Sequence, residues 1–375
     1  MEKEEDRGID RRTFLKVGGA IGLAAAVQGP GAARAQGTKA SAGAPSEKID
    51  AYCHMLPAKY KEAVLQRTPK ASYYYEADIQ RPALWDLGIR FKAMDNIEGL
   101  RQVISPGQPP LEYVASPKEA VDLARIYNDE VAEIVGKYPD RFPAAVACLP
   151  MNDVDASCRE AERAVKDLKF KGVLISTSIN GKPLNNQEFL PLYELMDSYD
   201  LPIWIHPAKD RQIPDYPGEA MSQYALFLVF SWPYETTIAM GRLVYSGVLE
   251  RFPNLKLITH HCGGMLPSYY GRTALVPPDT KTGDVRQLAK QPVEYFRRFY
   301  ADTVMGGNTS ALTTGRDFFG TSHVLFASDY PYPGGATGAE AAVKGVVKSV
   351  ESMGITDEEK GLIFSKNTRT LLKLT

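Results

Sequence analysis

The chain has 375 residues, of which 44% are hydrophobic and 24% are charged, so it can bury the core of a large globular domain. The formal net charge is −1 and the lysines and arginines are spread along the chain, which argues against a nucleic-acid-binding surface. The four cysteines show no C-x-x-C spacing, which argues against a disulfide-stapled scaffold.

The amino-terminal residues 1–35 have the pattern of an export signal. Residues 10–16 resemble the twin-arginine motif, an apolar stretch runs from Val17 to Val27, and residues 33–35 form a small-x-small cleavage pattern. The apolar stretch is too short to span a bilayer as a permanent helix. We therefore expect export by the twin-arginine machinery and a periplasmic location. An uncleaved tether or a chance match is the alternative.

Residues 36–46 are predicted to be a flexible leader, and residues 47–375 to form the folded domain. In that domain, short β-like runs alternate with helical stretches, which is typical of a parallel sheet with helical crossovers. Helix starts are predicted at Ser116, Asp153 and Thr356. Eight strands separated by helices indicate an α/β fold, a closed (β/α)8 barrel of the TIM type. The predicted strands are 48–53, 100–105, 143–149, 171–176, 201–206, 255–260, 297–302 and 323–328.

Three irregular, aromatic-rich stretches follow predicted strands on one face of this barrel. We interpret them as insertions over the carboxyl-terminal face, where such barrels carry their function. For the first stretch, which contains Tyr73, Tyr74, Tyr75 and Trp85, a substrate lid and ordinary packing both stay open. The stretches are 57–95, 207–235 and 330–339.

Side chains that can bind a metal close four of the predicted strands. His54, His206 and the pair His260 and His261 end three apolar runs, and Asp329 ends a fourth. Strand ends on one face of an α/β barrel converge on one point. Neutral imidazole and carboxylate groups supply lone pairs at fixed positions, so this pattern predicts a site for a divalent transition metal.

Several short motifs together support a family resemblance over about residues 47–370. These motifs are Ile49-Asp50-Ala51-Tyr52-Cys53-His54 with Leu56-Pro57, Ile205-His206-Pro207, His261-Cys262-Gly263-Gly264 with Pro267, Ala301-Asp302-Thr303 and Ser328-Asp329-Tyr330-Pro331. The chain resembles the amidohydrolase superfamily. Within it, the resemblance is to the amidohydrolase-related group that includes aminocarboxymuconate-semialdehyde decarboxylase and γ-resorcylate decarboxylase.

The resemblance implies roles for four of these residues. His54 and His206 match metal ligands, and Asp329 matches an aspartate that is both a ligand and a proton-transfer group. His261 matches a histidine that assists catalysis beside the metal. His260 precedes the matched position, and strand pleating would point it away from its neighbour, so we interpret it as architectural. The implied cofactor is a divalent metal, with zinc preferred and manganese as the second choice.

Tyr52 is the departure from the family pattern, because the first histidine of the family's His-x-His motif would stand there. A free tyrosine has a pKa near 10, so metal binding would have to depress it strongly. Three interpretations stay open. The metal is held by His54, His206 and Asp329 with open water positions, or Tyr52 is a fourth ligand or a hydrogen-bond donor to substrate, or the site has lost its metal.

By this resemblance we expect a metal-dependent, non-oxidative decarboxylase that acts on an aromatic or unsaturated carboxylic acid. In this hypothesis Asp329 delivers a proton and His261 stabilises charge as CO2 leaves. One alternative is a metal-dependent hydrolase of the amidohydrolase or lactonase type, which would use the same residues on a metal-bound water. Another is a non-catalytic periplasmic barrel with a degenerate metal site. The expected partner is a small carboxylic acid, and a homodimer stays open.

Overall fold

The computed structural model describes residues 47–67, 80–275, 288–333 and 335–375. The predicted export signal, the predicted leader and the tyrosines at 73–75 lie outside these residues. In the described part of the chain, none of the helices combines the length and the apolar character that a membrane span needs.

The secondary structure alternates strands and helices as the sequence predicts. The strands are β1 (Lys48–Met55), β2 (Leu100–Pro106), β3 (Ala144–Ala145), β4 (Val173–Ser176), β5 (Ser178–Ile179), β6 (Lys182–Pro183), β7 (Pro202–His206), β8 (Lys256–Thr259), β9 (Tyr300–Asp302) and β10 (Val324–Leu325). The α-helices are α1 (Ala58–Arg67), α2 (Leu87–Asp95), α3 (Leu111–Val114), α4 (Pro117–Lys137), α5 (Val154–Lys166), α6 (Leu190–Tyr199), α7 (Trp232–Tyr245), α8 (Val248–Arg251), α9 (Leu266–Tyr269), α10 (Pro292–Phe296), α11 (Thr309–Phe319), α12 (Gly335–Glu351), α13 (Asp357–Gly361) and α14 (Asn367–Leu371). Single π-helical turns precede α7 and α14, at Phe227–Ser231 and Leu362–Lys366.

The helix starts follow from local capping chemistry. Ser116 and Glu119 form a reciprocal capping box at the start of α4, with Pro117 at the first helical position. The side chain of Asp153 accepts a hydrogen bond from the backbone of Ala156 at the start of α5. Thr356 opens α13 with a second capping box. All three predicted helix starts are confirmed.

The main strands are parallel and are arranged in chain order around a barrel. One sheet has the order β1-β2-β3, and another has the order β10-β9-β8-β7-β4. A bridge between Ala147 and Val173 joins β3 to β4. At the opposite seam, the backbone N–H of Ala51 donates to the carbonyl oxygen of Phe326 at 2.8 Å. Among the described strands, β5 and β6 form a separate antiparallel pair. The predicted TIM-like α/β fold is confirmed.

The apolar core has an inner and an outer layer. The inner cluster lies inside the ring of strands, and the outer cluster lies between the strands and the surrounding helices. In β1 the register shifts between Asp50 and Cys53, as at a β-bulge, so Ala51 and Tyr52 both belong to the inner cluster. This shift places Tyr52 and His54 on the inner face. Members of the inner cluster include Ile49, Ala51, Tyr52, Val103, Ala144, Val146, Trp204, Ile258, Leu325 and Ala327.

The described part of the segment after β1 packs against the strand ends. Arg90 on α2 is buried, and its guanidinium donates hydrogen bonds to the carbonyl oxygens of His54 and Ala83 and to the side chain of Gln102. The same guanidinium lies 4.6 Å from the centre of the Tyr330 ring. A buried cation with several acceptors fixes the chain that it contacts. Here it ties the segment to the end of β1.

Candidate metal centre

Four side chains converge at the carboxyl-terminal end of the barrel. His54, His206, His260 and Asp329 each offer one ligand atom, and these atoms all lie within 4.8 Å of one another. The Oδ1 atom of Asp329 is 3.1 Å from Nε2 of His54 and 3.3 Å from Nε2 of His260. All four residues are buried. The barrel therefore holds three imidazoles and one carboxylate around one point.

His260 belongs to this group, against the expectation that pleating turns it away. It lies two residues after Ile258, so strand alternation puts both on the inner face. His261 has a left-handed φ of 52°, so the chain has left the extended conformation there. The architectural interpretation of His260 is thus wrong about where its side chain lies. Each of the four residues stands two positions after a member of the inner cluster: His54 after Tyr52, His206 after Trp204, His260 after Ile258 and Asp329 after Ala327.

The three imidazoles are oriented through their Nδ1 atoms. Each Nδ1 lies close to an oxygen that can only accept a hydrogen bond, so Nδ1 carries a proton and Nε2 is the nitrogen left for a metal. Nδ1 of His206 also lies 2.7 Å from the side-chain amide of Gln108. Histidines that bind metals are typically held in this way. The oxygens belong to the carbonyl of Pro106 for His54, at 2.6 Å, the carbonyl of Pro207 for His206, at 2.6 Å, and the carboxylate of Asp302 for His260.

Several buried polar atoms at this point lack a hydrogen-bond partner among the described residues. They include Nε2 of His54, Nε2 of His260 and Oδ1 of Asp329. Leaving such atoms unsatisfied is costly, and native proteins rarely do so without a reason. A divalent cation would satisfy these lone pairs together, and imidazole with carboxylate is a common donor set for zinc and manganese. The residues present fit a divalent metal.

The charges of the group depend on burial and on each other. Burial alone would raise the pKa of Asp329, but its contacts with His260 and His54 hold that pKa well below its usual range. Burial, and then the charges of His260 and His54, hold the pKa of His206 well below its usual value. Asp329 is therefore a carboxylate and His206 a neutral imidazole at neutral pH, as metal binding requires.

Zinc binding by the metal-free protein is expected to tighten with rising pH. Burial alone would lower the pKa of His260, but the carboxylates of Asp302 and Asp329 raise it to about 9. Below that pH His260 carries a proton that a metal must displace, so affinity should rise by about tenfold per pH unit between about pH 6 and pH 8. Competition with a chromophoric chelator at a series of pH values measures this slope.

The variant Asp302→Asn tests whether the proton on His260 causes this pH dependence of zinc affinity. It removes one of the two negative charges that raise the pKa of His260, so the rise in affinity should shift to lower pH. A zinc affinity that does not change with pH would contradict the assignment of a proton to His260.

Tyr52 lies against the imidazoles without the character of a phenolate. Its ring is stacked on His260 with a centroid distance of 4.3 Å, and it lies 5.3 Å from the ring of His54. Burial, and then the charges of Asp302 and Asp329, raise the pKa of Tyr52 well above its usual value. The hydroxyl of Tyr52 is therefore neutral and can donate a hydrogen bond. The fourth candidate metal ligand, for which the sequence suggested Tyr52, is His260.

Replacing Tyr52 by phenylalanine is expected to leave metal binding intact. The neutral phenol oxygen is a poor ligand, so zinc affinity should stay within about threefold of the wild-type value. Elemental analysis of the purified protein and chelator competition measure stoichiometry and affinity. Loss of the metal in Tyr52→Phe, with the fold preserved by circular dichroism, would establish Tyr52 as a ligand.

His261 lies beside the four donors and is not one of them. Its ring centroid is 4.0 Å from that of His260 and 6.2 Å from that of Trp232. Burial, and then the charge of His260, lower the pKa of His261 to about 3. Its Nδ1 has no hydrogen-bond partner in the described part of the structure. It is therefore a neutral imidazole with a free nitrogen beside the metal centre, which suits the catalytic role that the resemblance implies.

Asp302 organises the turn that carries both histidines, and the sequence interpretation gave it no role. Its carboxylate accepts hydrogen bonds from Nδ1 of His260 and from the backbone N–H groups of His261, Cys262 and Val304. The bond from Cys262 is 2.8 Å long. The available signal was its place at the end of predicted strand seven, next to the strand that ends in the histidine pair.

Glu235, near the start of α7, forms hydrogen bonds with the loop after β7. Its Oε2 atom accepts hydrogen bonds from the backbone of Ala208 at 3.0 Å and of Lys209 at 2.8 Å, and from the hydroxyl of Thr177 at 3.2 Å. This loop follows His206 directly. Glu235 therefore supports the strand end that carries one of the imidazoles.

Known proteins share this sequence pattern and this architecture. Residues 49–374 match the model of the amidohydrolase family. A 2-amino-3-carboxymuconate-6-semialdehyde decarboxylase from Dictyostelium discoideum is 29% identical over 282 residues, which cover 73% of this chain and 74% of that protein. A γ-resorcylate decarboxylase from a Polaromonas species is 31% identical over 258 residues, which cover 65% of this chain and 76% of that protein.

A solved structure links the same fold to a metal. The crystal structure of a dihydroxybenzoic acid decarboxylase from a Polaromonas species holds manganese and the inhibitor 2-nitroresorcinol. It is 26% identical to this chain, with a TM-score of 0.71, and the match covers 87% of this chain and 97% of that one.

Proposed function

Because the chain belongs to the amidohydrolase family, we propose that it is a metal-dependent, non-oxidative decarboxylase of an aromatic or unsaturated carboxylic acid. The observation that carries the proposal is the convergence of His54, His206, His260 and Asp329, with the free nitrogen of His261 beside them. The decarboxylases that resemble the chain support this reaction over hydrolysis. The substrate class follows from the aromatic and unsaturated acids that those relatives are named for.

The proposed resident ion is zinc, with manganese as the alternative. Bound there, a divalent ion supplies Lewis-acid charge that binds substrate oxygens and offsets the negative charge left as CO2 departs. Three imidazoles favour zinc, whereas the related crystal structure holds manganese. Elemental analysis of protein purified without added metal, followed by activity after reloading with each ion, decides between them.

Asp329 and His261 perform the proton chemistry in this proposal. The reaction breaks one carbon–carbon bond and places one proton on the carbon that carried the carboxylate. Asp329 is a carboxylate in the resting site, so it first accepts a proton, from solvent or from an acidic group of the substrate, and then delivers it to that carbon. His261 is neutral, so it contributes a hydrogen bond to the developing charge instead of a positive charge.

Isotope labelling separates decarboxylation from hydrolysis. Incubation with a panel of hydroxybenzoates in D2O is expected to release CO2 and leave one deuterium on the carbon that lost the carboxylate. A hydrolase would instead incorporate oxygen-18 from labelled water into the product of an ester or lactone. Oxygen-18 incorporation without CO2 release from any aromatic acid would overturn the proposal.

We further propose that residues 1–35 direct export through the twin-arginine route, so that the mature protein works in the periplasm. Arg11 and Arg12, the apolar stretch and the small-x-small pattern support this. Replacement of both arginines by lysine should retain the protein in the cytoplasm on cell fractionation. Unchanged export of that variant would contradict the proposal.

A homodimer is the proposed assembly. Phe230, Tyr234 and Ile238 are spaced four residues apart, and their side chains are 69%, 55% and 46% exposed. An exposed apolar stripe on a helix commonly marks a protein–protein interface. Light scattering on the purified protein should give twice the mass of the chain, and Phe230→Glu should halve it. A monomeric wild-type protein would refute the assembly.

A further inference from the structure

A small cavity lies at the carboxyl-terminal ends of β2 and β4, beside the metal centre. Its volume is about 20 Å3, which is room for one water-sized group. Most of its wall is apolar, and the polar side chains in it are few. The lining includes Gln108, Leu111, Glu112, Cys148, Met151 and Ser176.

The cavity is adjacent to one of the metal-centre imidazoles. Gln108 lines the cavity, and its side-chain amide lies 2.7 Å from Nδ1 of His206. Ser176 also lines it, and in the sheet Ser176 is paired with His206 across β4 and β7. Gln108 and Ser176 therefore place this cavity next to the strand end that carries His206.

Glu112 on α3 places an unsatisfied acceptor in this wall. Its Oε1 atom is buried and has no hydrogen-bond partner among the residues that the structure describes. Burial raises the pKa of Glu112 to about 7, although hydrogen bonds from its own backbone and from Ser176 act in the opposite direction. A buried carboxyl oxygen without a donor destabilises the protein, and a ligand that brings a donor removes that cost.

We propose that this cavity is a substrate subsite in which Glu112 accepts a hydrogen bond from a single hydroxyl or amino substituent of the aromatic acid. The inference rests on the proposed decarboxylase function and adds a specificity-determining residue to it. The cavity admits one heavy atom, so it selects a hydroxyl or an amino group over a methoxy or a second carboxylate. The other polar side chains of the lining, among them Gln108 and Ser176, are uncharged, so the carboxyl group of Glu112 is the strongest acceptor that the lining offers.

Binding of unreactive analogues tests this subsite. In 2-nitrophenol the planar nitro group stands in for the carboxylate, and each ring-hydroxylated derivative adds one donor at a defined position. Calorimetry on the manganese-loaded protein is expected to show one derivative that binds about tenfold to a hundredfold more tightly than 2-nitrophenol. In Glu112→Leu that preference should fall to about threefold or less, and Glu112→Gln, which keeps a carbonyl acceptor, should restore part of it.

The matched control is Glu133→Leu, on the exposed part of α4, which should leave the ratio unchanged. The subsite is overturned if no derivative is preferred or bound, or if the preference survives in Glu112→Leu with full metal content. A different result would contradict the proposed decarboxylase function and leave the subsite intact. In that result the wild-type protein shows the Glu112-dependent preference but releases no CO2 from any hydroxybenzoate or aminobenzoate.

Discussion

The variant His260→Ala is expected to lose its metal on purification. His260 is one of the four donors that converge in the described part of the structure, and its Nε2 atom has no hydrogen-bond partner there. Loss of an outer partner of a ligand already costs about 10-fold to 100-fold in metal affinity, so loss of the ligand itself should cost more than about 100-fold. Elemental analysis after dialysis, and chelator competition for the affinity, measure the effect.

His261→Ala is the matched control, because it removes the neighbouring imidazole, which lies outside the group of four donors. That variant should keep its metal and lose activity. If His260→Ala binds metal with wild-type affinity, the centre is the three-ligand arrangement of His54, His206 and Asp329. The unpartnered Nε2 of His260 would then need another explanation.

In Asp329→Asn, turnover is expected to collapse while the metal remains. Asparagine keeps one oxygen at the position of Oδ1 but can neither accept nor deliver a proton in the reaction. Loss of a positioned general acid–base group costs about 10²-fold to 10⁴-fold in rate, and kcat should fall by that factor at saturating metal. Steady-state CO2 release on protein of measured metal content gives the value.

Asp50→Asn is the control for Asp329→Asn, because it makes the same substitution at another buried aspartate. Asp50 is also buried at this end of the barrel, but its carboxylate accepts hydrogen bonds from the backbone N–H and the hydroxyl of Ser328. Its substitution should therefore lower the free energy of unfolding while kcat changes far less. Wild-type turnover in metal-loaded Asp329→Asn would show that the proton travels by another route.

The sequence predicts the barrel well because its strands are apolar runs that end in polar residues. The strand positions and the convergence of His54, His206 and Asp329 both follow from that pattern. Strand lengths are less predictable, because tertiary hydrogen bonds decide where a strand ends. The predicted strand 323–328 is observed as Val324–Leu325, and the residues after it contact β1 through single backbone bonds and one bridge.

The position of His260 shows where the sequence interpretation failed. Alternation counted from Ile258 places it on the inner face, whereas alternation counted from its neighbour His261 places it outside. The left-handed backbone at His261 ends the alternation of side chains between the two faces of the strand. The apolar pattern of the sequence does not show where that alternation ends. The register shift in β1 also interrupts the alternation, because the consecutive residues Ala51 and Tyr52 lie on the same face. The sequence pattern does not show this shift either.

The orientation of the imidazoles has a consequence for how this site tolerates mutation. Main-chain carbonyls hold His54 and His206, and no substitution at Pro106 or Pro207 removes a carbonyl oxygen. The third imidazole depends on the side chain of Asp302, which a single codon change can erase. The orientation of His54 and His206 therefore depends on main-chain atoms, whereas the orientation of His260 depends on one side chain. Apart from Gln108, whose side-chain amide lies 2.7 Å from Nδ1 of His206, substitutions next to those prolines should therefore disturb the imidazoles less than a substitution at Asp302.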